Sequence, residues 1–106
     1  MTQEEKCPFT IAQRLIQGKW AILIMHYLSE EPLRFNELLR RMPKMTHATL
    51  SNQLKQLEAE GLVIRKEYMQ IPPKVEYSIS NIGKEFQPVL ESIRDWGEKY
   101  IEFQNQ

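Results

Sequence analysis

Leucine recurs at 50, 54 and 57, the i, i+4, i+7 spacing of a single buried helical stripe. Thr46 suits the N-cap of that helix and Gly61 supplies a left-handed stop after it, so the pattern predicts a helix docked on one side only. At about 100° per residue, Ala48, Asn52, Lys55 and Ala59 fall opposite the leucines, with Ser51 on one flank and Thr49 and Gln56 on the other. The outward face is short, polar and almost free of acid. Hydroxyls, amides and a lone lysine suit hydrogen bonding to base edges and phosphates better than a merely solvated face, which usually carries Glu and Lys pairs.

Two strands are predicted directly after Gly61, over 62–68 and 75–79, in the second of which Val75, Tyr77 and Ile79 alternate with polar residues. Pro72 and Pro73 stiffen the connecting tip and remove two backbone donors, so the ribbon cannot pair onward there. Lys74 sits beside the tip, with Arg65 and Lys66 on the partner strand. A rigid basic ribbon next to a reading helix has the form of a winged helix-turn-helix.

Upstream, the pattern predicts a helix over 9–16, a break at Gly18, and a helix over 19–28 with Trp20, Leu23, Ile24, Tyr27 and Leu28 on its apolar side. A turn at Glu30-Glu31-Pro32 leads to a third helix that buries Phe35, Leu38, Leu39 and Met42, turns Arg40 and Arg41 outward and closes at Pro43. With the reading helix, these complete a helix-turn-helix core. The remaining methionines read as gap-fillers, Trp20 and Trp96 as packing residues, and His26 as the edge of an exposed helix. Arg34 is open between an ion pair and a phosphate contact.

From Ile82 onward, Phe86, Val89, Leu90, Ile93, Trp96, Tyr100, Ile101 and Phe103 form a stripe that one small domain has too little core to cover. The expectation is a homodimer joined through this helix, with Phe86, Leu90, Ile93, Trp96 and Tyr100 in the interface and the first helix of the other subunit beside them. Pro88 either kinks the helix or begins a fresh segment.

A chain of 106 residues, 42% of them hydrophobic, is expected to fold as one mainly α domain with a small β-hairpin, spanning 1–106. Its net charge is zero, which argues against a nucleic-acid partner until the distribution is considered. Residues 33–74 hold eight basic and four acidic side chains, whereas residues 75–106 hold three and six. Positive charge therefore gathers on the proposed reading unit. No apolar run suits a membrane span and the start Thr2-Gln3-Glu4-Glu5 is unlike a signal peptide, so the expected setting is cytoplasmic, with no membrane partner. His26 and His47 have no neighbouring ligands, so no metal and no cofactor is expected. Cys7 has no base or resolving cysteine nearby for thiol enzymology, and the expectation is a protein that is not an enzyme.

In this order, Cys7-Pro8, Gly18-Lys19-Trp20, Leu33-Arg34-Phe35-Asn36-Glu37-Leu38, Leu57-Glu58-Ala59-Glu60-Gly61-Leu62-Val63, Pro72-Pro73-Lys74-Val75-Glu76-Tyr77-Ser78 and Trp96-Gly97 resemble the HxlR family of winged-helix transcription regulators, related in fold to the MarR superfamily. The resemblance covers nearly the whole chain and implies a dimeric DNA-binding repressor or activator. The chain departs from the family at Lys74, Lys44 and Ala48, where arginine, glycine and lysine are frequent. Several relatives sense electrophiles or oxidants through a cysteine at the position of Cys7. Its place at a helix start, beside Lys6, suits a thiolate; the alternative is a buried, inert thiol. With a single cysteine, a protein disulfide would join two subunits; otherwise the adduct is with a small thiol or electrophile.

These readings place His47, Thr49, Ser51, Asn52 and Lys55 in the major groove of double-stranded DNA, Lys74, Arg65 and Lys66 on the adjacent backbone or minor groove, and Arg40, Arg41 and Lys44 on phosphates. Two alternatives stay open: a winged helix that binds only protein, and a regulator that answers a small-molecule ligand instead of thiol chemistry.

Overall fold

The computed structural model describes residues 6–106, so the polar start at 2–5 lies outside the described residues. Helices α1 (Pro8–Ile16), α2 (Ala21–Glu30), α3 (Phe35–Arg41) and α4 (His47–Ala59) precede an antiparallel hairpin of β1 (Val63–Tyr68) and β2 (Lys74–Ile79), and α5 (Asn81–Lys84) and α6 (Gln87–Gln104) follow. This is the mainly helical, winged helix-turn-helix architecture that the apolar spacing predicts.

The reading helix α4 begins and ends as its sequence dictates. Thr46 Oγ1 accepts the backbone N–H of Thr49 at 3.1 Å. At the other end Gly61 takes φ +79°, which lets Leu62 N–H reach Leu57 O at 2.9 Å and Gly61 N–H reach Glu58 O at 3.0 Å. Those paired bonds form a Schellman stop and aim the chain straight into β1.

The core lies where α2, α3 and α4 meet the root of the hairpin, with Ile24, Met25, Leu38, Leu50 and Leu54 almost wholly excluded from solvent. No polar side chain is buried among the described residues. Two details differ from the sequence pattern. In α2, Ala21 and Met25 are buried while Leu23 is 38% exposed, and Trp20 serves as N-cap, so the helix starts two residues later than expected. Met69 is no gap-filler, since it stands fully exposed at the wing tip.

The root of the wing is tied down by contacts that the sequence does not advertise. Leu33 and Tyr77 exchange backbone hydrogen bonds of 2.9 and 2.8 Å, adding a short third rung to the sheet. Ser80 Oγ donates to the carbonyls of Gly61 and Leu62 and accepts from Gly83 N–H, joining the end of β2 to the end of α4. A Cβ on Gly83 would stand 2.7 Å from the Leu62 carbonyl, so only glycine allows α5 to approach this closely.

Pro88 lies in the first turn of α6 and so begins a fresh segment. Early in α6, Leu90 is 7% exposed and belongs to the core, with Phe86 packed against it. Both were expected in a dimer interface; Leu90 is instead buried within this chain, where α2 and α6 pack, and Phe86 is half-buried against the core. Beyond them the helix leaves the body. The radius of gyration is 15.6 Å, with extents of 53 × 41 × 24 Å, against about 13 Å for a rounded domain of this length.

Candidate nucleic-acid interface

On α4 the leucine stripe turns inward and leaves Ala48, Asn52, Lys55 and Ala59 exposed. His47 is exposed at the first helical position, its ring 4.4 Å from that of Phe35, so α3 fixes where the imidazole points. Ser51 and Thr49 are half-buried on the flanks. Thr49 is less free than its sequence position suggests, because Thr46 Oγ1 also donates to its hydroxyl at 2.9 Å.

The hairpin register divides the wing cations between two faces. Val63 opposes Ile79, Arg65 opposes Tyr77 and Glu67 opposes Val75, and these six share the inward face. Lys66 opposes Glu76 and Tyr68 opposes Lys74 on the outward face. Arg65, Lys66 and Lys74 are therefore not one patch. Arg65 is bonded to Glu67 at 2.7 Å and held further by Tyr77, which together raise its already high pKa and keep the guanidinium charged. Lys74 pairs with Glu76 at 3.4 Å.

The phosphate candidates also separate. Arg41 contacts Glu31 at 3.3 Å and Glu30 at 4.0 Å and lies over the Tyr27 ring, so much of its charge is answered within the fold. Among the described residues no carboxylate pairs with Arg34, Arg40, Lys44 or Lys55. The backbone N–H of Arg34 donates to Glu37 Oε1 at 2.8 Å, which starts α3 and leaves the guanidinium outside. An open cleft of about 910 Å³ separates α3 from β2, lined by Arg34, Asn36, Arg40 and Lys74 together with Glu37 and Glu76. Asn36 and Glu76 in this cleft, and Tyr68 on the outward face of the wing beside it, were not among the sequence-predicted site residues. The alternation Lys66-Glu67-Tyr68 was a signal for Tyr68, but its pairing with Lys74 needs the register.

Cys7 occupies the N-cap of α1. Its sulfur closes no capping hydrogen bond, yet the Thr10 backbone N–H first, then the Thr10 hydroxyl and the Phe9 backbone N–H, lower the thiol's pKa. Seven residues on, Arg14 Nη1 meets Glu60 Oε1 at 2.6 Å, linking α1 to the C-cap of α4. At the far end of α6, Trp96 and Tyr100 stack at 5.4 Å and Tyr100 meets Phe103 at 5.8 Å, with Trp96 and Phe103 about two-thirds exposed. Ile93 is half-buried and Phe9 on α1 is 87% exposed.

A capped helix with a polar outer face, followed through a glycine stop by a basic hairpin, defines a DNA-binding transcription regulator of the helix-turn-helix type. The chain belongs to the HxlR-like helix-turn-helix family, which it matches over residues 15–105. It is 50% identical over 93 residues to the uncharacterized HTH-type transcriptional regulator BH0655 of Halalkalibacterium halodurans, covering 87% of this chain and 82% of that protein. With YdeP of Bacillus subtilis, another uncharacterized HTH-type regulator, identity is 42% over 91% of this chain and 75% of the relative. Among solved structures, the redox regulator HypR in its reduced form superposes with a TM-score of 0.88 at 35% identity, covering 93% of this chain and 98% of HypR. The reduced transcriptional regulator YodB from B. subtilis gives 0.80 at 30% identity, over 89% and 94%. No helix among the described residues is long and apolar enough to cross a membrane.

Proposed function

We propose that this protein recognises a pseudo-palindromic operator in the cytoplasm as a homodimer, and that Cys7 tunes the binding by thiol chemistry. The observation that carries the DNA reading is the exposed, acid-poor row Ala48, Asn52 and Lys55 on α4, continued by a wing bearing Lys66 and Lys74. In each half-site His47, Thr49, Ser51, Asn52 and Lys55 meet the major groove. Lys74 and Lys66 hold the neighbouring backbone or minor groove, with Arg65 steadying the inner face of the wing. Arg40 and Lys44 bind phosphates directly, whereas Arg41 must first exchange Glu30 and Glu31 for one.

Titration of random duplex at two salt concentrations tests DNA binding, since affinity must fall steeply with salt. For sequence reading, Asn52→Ala and Ser51→Ala should change preference among operator variants by about 1–3 kcal/mol. An unchanged sequence profile in the double variant removes the base-reading role.

The lowered thiol pKa, the similarity to HypR and YodB, and the Arg14–Glu60 link from α1 to α4 support Cys7 as a sensor. Modification at the N-cap displaces α1, and α1 carries the end of α4 with it. Diamide or a quinone should weaken operator binding by the native chain and leave Cys7→Ser unaffected; equal responses eliminate the sensor. The sign of the pKa shift makes a further demand. The thiolate persists to lower pH than in a free cysteine, so alkylation of Cys7 should reach half its maximal rate at lower pH than alkylation of a free thiol, and Thr10→Val should raise that midpoint.

A further inference from the structure

Lys66, Tyr68, Lys74 and Glu76 form a two-by-two block on the outward face of the wing, because they are cross-strand partners and next-but-one neighbours. The ammonium nitrogens of Lys66 and Lys74 each lie 4.8 Å from the centroid of the Tyr68 ring. Tyr68 Oη donates to Glu76 Oε1 at 3.2 Å, and the second Glu76 oxygen holds Lys74 at 3.4 Å. The side chains of Lys74 and Glu76 are only 26% and 24% exposed, against 37% and 65% for the Arg65–Glu67 pair. A lysine is a point charge on a flexible stem, and fixing two of them against DNA normally costs rotamer freedom. Here that freedom is already restricted.

We infer that Tyr68 is a positioning residue whose ring holds Lys66 and Lys74 as a preset cationic pair for neighbouring phosphodiester oxygens of a DNA strand, with Glu76 anchoring the ring hydroxyl. This rests on the DNA-binding reading above. An ammonium has three donors, so it can rest on the ring and still bond phosphate. The ring itself is uncharged. It therefore adds affinity without adding released counterions, whereas each lysine contributes to the salt slope.

The test is binding of random duplex by the full chain across a series of salt concentrations. Tyr68→Leu should bind about fivefold more weakly at every salt, with an unchanged slope. Tyr68→Phe should stay within about twofold of the native chain, and Lys66→Ala with Lys74→Ala should flatten the slope by roughly 2. In that double-lysine background Tyr68→Leu should cost nothing further. Tyr68→Thr, a ringless residue suited to strands, repeats the measurement if the leucine variant is unfolded. The inference falls if ringless variants bind like the native chain, if Tyr68→Phe is as weak as Tyr68→Leu, or if the loss persists without the lysines. Salt-independent binding by the native chain removes the DNA-binding reading and this inference together; salt-dependent binding unaffected by Tyr68 removes the inference alone.

Discussion

Helices α4 and α6 are both amphipathic, yet they put their apolar stripes to different uses. In α4 all three leucines are buried within the chain, and what remains outside is polar apart from the small side chains of Ala48 and Ala59. In α6 the stripe divides along its length: Leu90 reaches the core, whereas Trp96, Tyr100, Ile101 and Phe103 project past it. An apolar stripe alone thus does not say against what it packs. Position relative to the core decides, and the helix that overruns the body leaves its aromatic row exposed.

Charging that row should have the largest effect. Trp96→Glu with Tyr100→Glu should leave a folded monomer and lower operator affinity by about 100-fold or more, since the second half-site no longer adds avidity. Sedimentation gives the mass and melting the fold; a native chain that is already monomeric defeats the dimer proposal outright.

Truncation in the two helices should cost unequally. Leu54→Ala, at a site 1% exposed, should lose about 2–5 kcal/mol in denaturant unfolding. Ile101→Ala, at a site 59% exposed, should lose less than about 0.5 kcal/mol when placed in the charged, monomeric background. A large loss there would mean that the far end of α6 packs within its own chain.

A smaller loss is expected at the start of α4. Thr46→Ala removes the cap on Thr49 N–H and should cost about 1 kcal/mol in thermal stability. Because the same oxygen orients the Thr49 hydroxyl, sequence preference should be re-measured beside stability. A change in stability with no change in preference assigns Thr49 to the cap and not to the bases.

Much of α4 was legible because its determinants are local: leucine spacing, a hydroxyl at the start and a glycine at the end act within a few residues of one another. The wing was legible as strand, stiff tip and strand for the same reason. Its electrostatics were not. Arg65 and Lys66 are adjacent in sequence and lie on opposite faces, while Tyr68 and Lys74 are separated by the tip and face one another. The first follows from strand alternation alone, whereas the second follows from register, which the loop geometry sets and no single residue announces. Arg41 is similar, since Glu30 and Glu31 become its partners only when α2 and α3 pack.

Short-range periodicity and capping dictate which segments become helix and strand, where α4 begins and stops, and which of its sides is apolar. Packing sets which cations are answered by carboxylates, that Leu90 enters the core while Trp96 and Tyr100 do not, and that Arg14 joins α1 to the end of α4. Those depend on distances between residues far apart in the chain, and such distances exist only once the elements have packed.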